Sequence, residues 1–321
     1  MSQLPTLSEL ESATTVIRQW VPPTPQYTWP LLNARTGVEV WVKHENHTPV
    51  GSFKARGALV YFDQLLRKQP DFQGVVAATR GNFGQAVTFA ARRSGLRAVI
   101  VVPQGNSTEK NAAMRAQGAE LIEYGEDFQA AFEHAQQLAA AQELHFVPSF
   151  DLSLVAGSGT YALEFLRGAP PLDAIFVPVG LGSGICGMIA ARNALGLAAK
   201  IIGVVSAQAP AYALSFAARA VISHPVTTRI ADGVAIRQPD PVAVEIMARH
   251  VERFVTVTDD EVEAAMRALF VDTHNTAEGA GAVAVAALLQ ESPRWAGRRV
   301  GVVLTGGNVD RLVFSRVLSV P

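Results

Sequence analysis

The chain has 321 residues, 49% hydrophobic and 17% charged, with a formal net charge of -1. That length and apolar fraction suit a large core in two domains or lobes, and the balanced charge excludes an electrostatic case for a nucleic-acid or membrane-surface partner. A single cysteine, Cys186, excludes an internal disulfide framework. With no basic-then-apolar leader in "MSQLPTLSELESATT" and no unbroken apolar run long enough to span a bilayer, a cytoplasmic protein is expected.

In chain order, the proline-rich "VPPTPQYTWP" (21–30) reads as an ordered surface segment, and "VEVWVKHE" (38–45) predicts a strand. In "NHTPVGSFKARGA" (46–58), a Pro-Val-Gly-Ser turn leads into a helix with Lys54 in its first turn. A cation is unfavourable there, because the helix start carries partial positive charge. A lysine placed in that field and partly desolvated loses its proton more easily, and a neutral amine is a nucleophile towards carbonyls. Strands follow at 74–79, 97–103, 120–124 and 145–150, with helical patterns at 83–95 and 127–143. The first of these strands ends in Thr79-Arg80-Gly81-Asn82, just before a helix. Backbone N–H groups and short polar side chains at such a point suit a carboxylate. Polar and glycine residues in "SFDLSLVAGSG" (149–159) mark a seam.

Beyond the seam, a strand at 174–180 runs into Gly180, Leu181, Gly182, Ser183 and Gly184, and a helix begins. The glycines open the backbone N–H groups to a phosphate; the alternative is a plain tight turn. Residues 182–187 also match a dinucleotide fingerprint, Gly182-Ser-Gly184-Ile-Cys-Gly187. The next strand, 200–206, ends at Ser206 without the acid that holds a ribose, which weighs against a nicotinamide-dependent oxidoreductase. A strand at 253–259, a helix over 258–273 opened by a Thr258/Glu261 capping box, and a strand at 299–307 ending Thr305-Gly306-Gly307-Asn308 complete the pattern. Mostly continuous apolar strands alternating with helices mean an α/β protein with parallel sheets, and nine strands are enough for two sheets. The Gly-, Ser-, Thr-, Asn- and Lys-bearing loops all follow strand C-termini or flank them, the edge where open α/β sheets bind ligands.

A Schiff-base lysine, a phosphate cradle and a carboxylate loop together suit pyridoxal phosphate with an amino acid. "GSFKARGA", "TRGNFGQ", "VGLGSG" and "TGGN" resemble, in order, the lysine, asparagine, phosphate and pyridine-nitrogen motifs of the threonine/serine dehydratase branch of the fold-type II pyridoxal-phosphate enzymes. "VAGSGTYALEFL" and "IADGVAIRQP" resemble its connecting segments. The resemblance implies a tryptophan synthase β-like α/β fold with two mostly parallel sheets. It implies a large domain (1–69 and 153–321), a small one (70–152), and a homodimer. It makes Lys54 the Schiff-base lysine and the base for the Cα proton, with Phe53 beside it. It places Asn82 on the ring hydroxyl, Gly180 through Gly184 on the phosphate, and Thr305 on the pyridine nitrogen. Thr79, Gly81 and neighbouring amides take the substrate carboxylate. Arg80 and Phe83, which bracket Gly81-Asn82, either face the substrate and select its β-substituent or serve the scaffold, with Arg80 towards solvent or a structural acid and Phe83 under its own helix. The implied reaction is β-elimination of water from threonine, serine or a bulkier analogue such as phenylserine or 3-hydroxyaspartate.

Some positions depart from that pattern. Arg80 stands where serine racemase keeps its second base, so efficient racemisation is not expected. Phe83 stands where relatives often have histidine. "SAQAPAY" lacks the acids of a divalent-metal site, and the chain ends soon after "TGGN", so neither a metal at that place nor a C-terminal regulatory domain is expected. Glu278 reads equally as a group near the ring or as a helix-start carboxylate. His44 and His47 read as surface or supporting residues rather than a metal pair, and Cys186 as a buried thiol. A β-replacement enzyme of the cysteine synthase kind is the nearest alternative, against which "FKARG" and "GNF" both argue.

Overall fold

A computed structural model describes residues 3–69 and 71–320. Ten strands are present among them: β1 (Gln26–Thr28), β2 (Glu39–His44), β3 (Gly74–Ala78), β4 (Arg97–Val102), β5 (Glu120–Glu123), β6 (His145–Phe146), β7 (Ala174–Pro178), β8 (Lys200–Ser206), β9 (Arg253–Val257) and β10 (Arg299–Leu304). They form a six-stranded sheet in the order β1-β2-β10-β7-β8-β9 and a four-stranded sheet in the order β5-β4-β3-β6. Every pairing is parallel except that of β1 with β2.

The nine strands expected from apolar runs are all present. Central strands β3 and β7 are buried at every residue, because helices cover both faces. The tenth, β1, lies in the proline-rich segment and is an exposed antiparallel edge. Strand β6 is only two residues long, not six. Pro148 has no N–H to continue the ladder after Val147, whose own N–H reaches the Val76 carbonyl at 2.9 Å. The expected capping box is present: Thr258 and Glu261 bond reciprocally at the start of helix Asp259–Thr273.

One face of the large sheet packs on helices Asp259–Thr273 and Gly279–Glu291. The other packs on helices Leu152–Gly168 and Ser183–Ala194. The small sheet is sandwiched between helix Phe128–Ala141 on one side and helices Lys54–Lys68 and Asn82–Arg93 on the other. Helix Leu152–Gly168 joins the two halves through glycines. A Cβ on Gly157 would lie 2.7 Å from the Cα of Gly57, and one on Gly187 would lie 2.6 Å from the Gly159 nitrogen. Real Cβ atoms do not approach that closely, so helices Lys54–Lys68, Leu152–Gly168 and Ser183–Ala194 touch backbone to backbone. Among the described residues no helix is long and apolar enough to cross a membrane.

Candidate active site

Because the strands of each sheet run parallel, β2, β3, β7 and β10 deliver their following loops to the C-terminal edges of the sheets. A cavity there is lined by Phe53, Lys54 and Asn82, by Gly180, Leu181, Gly182, Ser183 and Gly184, and by Thr305. Pro178, Gly233, Val234, Glu278 and Ala280 complete the wall. Residues from distant parts of the chain, drawn from sequence motifs alone, thus meet in one place. Thr79, Arg80, Gly81 and Phe83 stand outside that lining.

Lys54 is the first residue of its helix, after Phe53, which provides no side-chain cap. The loop before it is tied to the end of β10: the Phe53 N–H donates to the Thr305 carbonyl at 3.0 Å, and Ser52 bridges Gly306. The Lys54 amine lies 5.0 Å from the centre of the Phe53 ring and 6.0 Å from that of Phe83. The residue touches solvent through the cavity, but protein walls its amine. That burial pushes the amine down to about 8, against the opposing pull of Glu278. The lowered proton affinity expected of this lysine is therefore present, and desolvation is its main cause.

Two residues on, Arg56 is fully buried and anchors the helix. Its Nε donates to Glu45 Oε2 at 2.8 Å and its Nη1 to Glu164 Oε1 at 2.8 Å. Lys43, also fully buried, donates to Glu164 Oε2 at 2.8 Å and to the Thr24 carbonyl at 2.9 Å. Two cations and two carboxylates thus balance inside the core, which is what makes their burial tolerable.

The Gly180–Gly184 loop has the form of an anion cradle. Gly182, at φ 112°, precedes helix Ser183–Ala194 and offers no side-chain cap. The helix's first N–H groups, which have no intrahelical acceptor, are left for a ligand. A Cβ on Gly180 would run into the Gly233 carbonyl, so only glycine fits the cradle wall. Tyr161, fully buried, donates its hydroxyl to the Gly184 carbonyl at 3.0 Å and packs edge-on to Phe53, linking the cradle to the lysine loop. These features fit the phosphate of pyridoxal phosphate, whose aldehyde would then have Lys54 on the same cavity wall.

Asn82 begins its helix after Gly81, again without a side-chain cap. Its Nδ2 donates to Glu278 Oε1, and its Oδ1 accepts from Asn308 Nδ2 at 2.8 Å. The Thr79 hydroxyl oxygen accepts from the Gly81 N–H at 2.9 Å and the Gly84 N–H at 3.2 Å, so it shapes the loop from within. Arg80 is exposed, while Phe83 is half-buried. The Thr305 hydroxyl donates to the Ala280 carbonyl at a long 3.4 Å.

Glu278 resolves its two readings in favour of the cavity. It precedes helix Gly279–Glu291, yet its carboxylate does not cap that helix; it receives Asn82 and, at 3.1 Å, Lys110 Nζ. Lys110 and Tyr161 were not legible in the sequence as site neighbours. Of the two roles expected for it, His44 takes the supporting one: it is buried, accepts from Trp29 Nε1 at 3.0 Å, and is pushed down to about 3, chiefly by burial. His47 is exposed and bonds Asn275 Oδ1 at 2.8 Å. The Cys186 thiol is buried, which raises its proton affinity and leaves it inert. Among the described residues, no group of three or more His, Cys, Asp or Glu side chains is gathered for a metal.

A family model described as pyridoxal-phosphate dependent enzyme matches residues 17–306. The chain is 33% identical to an L-threonine ammonia-lyase of Thermotoga maritima, over 98% of this chain and 78% of that protein. It is 31% identical to an L-threo-3-hydroxyaspartate ammonia-lyase of Saccharomyces cerevisiae, over 98% of this chain and 97% of that one. A crystal structure of a pyridoxal 5'-phosphate-dependent aspartate racemase superposes with a TM-score of 0.90 at 30% identity, covering 97% of this chain and 98% of that one. With a matching family model over most of its length, the chain belongs to the pyridoxal-phosphate-dependent enzymes of fold-type II, in their threonine/serine dehydratase-like branch.

Proposed function

We propose that the protein eliminates water from a β-hydroxy amino acid, releasing a 2-oxo acid and ammonia. The observation that carries this reading is the Lys54 amine, low in proton affinity, on one cavity wall with an anion cradle. Bound there, pyridoxal phosphate supplies the electron sink for the pair left when the substrate's Cα–H bond breaks. The chain's own residues do the rest. The N–H groups after Gly182 and the glycines of the cradle orient the phosphate. Lys54 Nζ takes the Cα proton, for which a proton affinity near neutral pH is suited. Asn82, fixed by Asn308 and Glu278, would orient the ring hydroxyl, and the Thr305 hydroxyl, only loosely held by Ala280, would serve the ring nitrogen. The Thr79 hydroxyl keeps its own hydrogen to donate, and with the free N–H groups of Asn82 and Phe83 it takes the substrate carboxylate. Phe53 flanks the amine and keeps water from it. Loss of the Cα proton and the β-hydroxyl removes one water, and hydrolysis of the unsaturated amine gives the 2-oxo acid and ammonia.

The relatives' names place threonine and 3-hydroxyaspartate among the candidate substrates. The Phe83 ring beside the Lys54 amine, with Arg80 turned out to solvent, favours an uncharged β-substituent over a second carboxylate. The division into a large domain (1–69 and 153–321) and a small one (70–152), a homodimer and a cytoplasmic setting belong to the same reading. The test assays 2-oxo acid release from serine, threonine, phenylserine and 3-hydroxyaspartate with wild type, Arg80→Ser and Phe83→His. Phe83→His should change kcat/KM between uncharged substrates by roughly a hundredfold, about 2.7 kcal/mol of selective transition-state binding. Arg80→Ser should leave threonine and serine little changed. No 2-oxo acid from any of the four would overturn the dehydratase reading. A selective loss on 3-hydroxyaspartate in Arg80→Ser would move the preference to dicarboxylic substrates.

A further inference from the structure

We infer that Lys110 and Glu278 are positioning residues for Lys54: the Glu278 carboxylate, held by Lys110 and Asn82, sets how readily the Lys54 amine releases its proton. This rests on the reading of Lys54 as the reactive amine. Glu278 lines the same cavity as Lys54. It stands at the start of helix Gly279–Glu291, where its backbone carbonyl accepts the Ala282 N–H, but its carboxylate does not cap that helix. Its two oxygens go instead to Asn82 Nδ2 and to Lys110 Nζ, the latter at 3.1 Å. Both members of the ion pair are largely shielded, with side-chain exposures of 11% and 7%.

Such a pair is a weak source of stability, since removing two charges from water offsets most of their attraction. Its position suggests another use. Lys110 comes from helix Thr108–Ala116, and its stem lies against Gly81, where a Cβ would come within 3.2 Å of Lys110 Cγ. The carboxylate that Lys110 holds thus shares one cavity lining with Lys54. The charged group that pulls on Lys54 is Glu278, opposing the burial that lowers it, and the rings of Phe53 and Phe83 stand 5.0 and 6.0 Å from the amine. Lys110 is desolvated too, but Glu278, Asp232 and Asp310 together hold it above the ordinary lysine range, so it stays charged. A permanently charged Lys110 screens Glu278 and limits its pull on the Lys54 ammonium. With that pull limited, desolvation keeps the amine ready to lose its proton near neutral pH.

The consequence is a pair of shifts with opposite signs, which a merely structural role would not produce. The full chain, stripped of cofactor, is acetylated across a pH series, and labelling of Lys54 is read by peptide mass spectrometry against exposed Lys68. Wild-type Lys54 should titrate well below Lys68. Lys110→Met leaves Glu278 free to hold the Lys54 ammonium, and the Lys54 midpoint should rise by about one pH unit, a tenfold loss of neutral amine. Glu278→Gln removes the pull and leaves Lys110 balanced only by Asp232 and Asp310, and the Lys54 midpoint should fall. Lys110→Arg should keep the wild-type value. Should Lys110→Met not fold, the Glu278→Gln and Lys110→Arg values decide. Unmoved midpoints, or shifts of one sign in both charge-removing variants, overturn the inference while Lys54 remains the reactive lysine. A wild-type Lys54 that titrates with Lys68 overturns the reactive-lysine reading itself.

Discussion

Two sets of helix starts divide the molecule. Among the described residues, six helices open with a side-chain cap, from Thr6, Ser107, Asp127, Asp151, Asp240 and Thr258. The four that open on the cavity, after Phe53, Gly81, Gly182 and Glu278, have none. The other uncapped helices, 30–36, 211–218 and 311–318, are only seven or eight residues long. A cap is worth about 1 kcal/mol, so its absence from three long helices and the lysine helix is a stability cost concentrated at one place. Capping and ligand binding use the same N–H groups. In the six capped helices a side chain of the cap residue fills one or more of them; at the cavity the cap residue fills none, although Thr79 takes the Gly84 N–H of the Asn82 helix, and at Glu278 the available carboxylate is turned elsewhere.

The comparison is most sharply tested at Lys54. Lys54→Met should lower 2-oxo acid release by roughly 10³-fold or more, since the reacting proton loses its acceptor. In the cofactor-free chain, where the amine is free, it should also stabilise the fold at neutral pH. The amine's affinity falls from 10.5 to about 8 in the folded protein, so between those values the unfolded chain binds more protons and wild-type stability rises with pH. The melting-temperature gain of Lys54→Met should therefore be largest below pH 8 and shrink towards pH 10.5. A variant less stable than wild type at pH 7 would break the assignment of a burial cost to this lysine. Next in size, Gly182→Asp adds a carboxylate to the cradle and strains a φ of 112°. Cofactor retention after dialysis, followed by absorbance, should weaken by roughly a hundredfold, about 2.8 kcal/mol. Undiminished retention would reduce the loop to a turn. The smallest effect belongs to the capped set: Thr258→Ala should cost about 1 kcal/mol in denaturant unfolding and leave kcat/KM unchanged. A change in kcat/KM there would blur the division.

The same division explains what the sequence made legible. Loops whose chemistry resides in the backbone announce themselves by composition, so the Gly180–Gly184 cradle and the Lys54 turn could be read before the fold was known. Strand β3 was equally plain, because burial on both faces leaves an unbroken apolar run. Strand β1 was not: three exposed residues on an edge carry no such pattern. The Lys110–Glu278 pair spans 168 residues of chain, and neither partner sits in a pattern that points to the other. Nor does sequence aim a side chain, which is why Arg80 and Phe83, three residues apart, divide between solvent and the lysine.

The glycine contacts among the three helices carry a consequence for how such a site can diversify. Lys54 rides on the first helix and the cradle opens the third, and each meets the middle one with no side chain between them. The span from amine to anion is therefore a backbone dimension, and no exchange of side chains at those crossings can lengthen it without prising helices apart. Room for substitution lies instead in the loop from Thr79 to Phe83, of which only Asn82 lines the cavity, and a change of side chain there leaves the backbone spacing between Lys54 and the Gly180–Gly184 loop as it is.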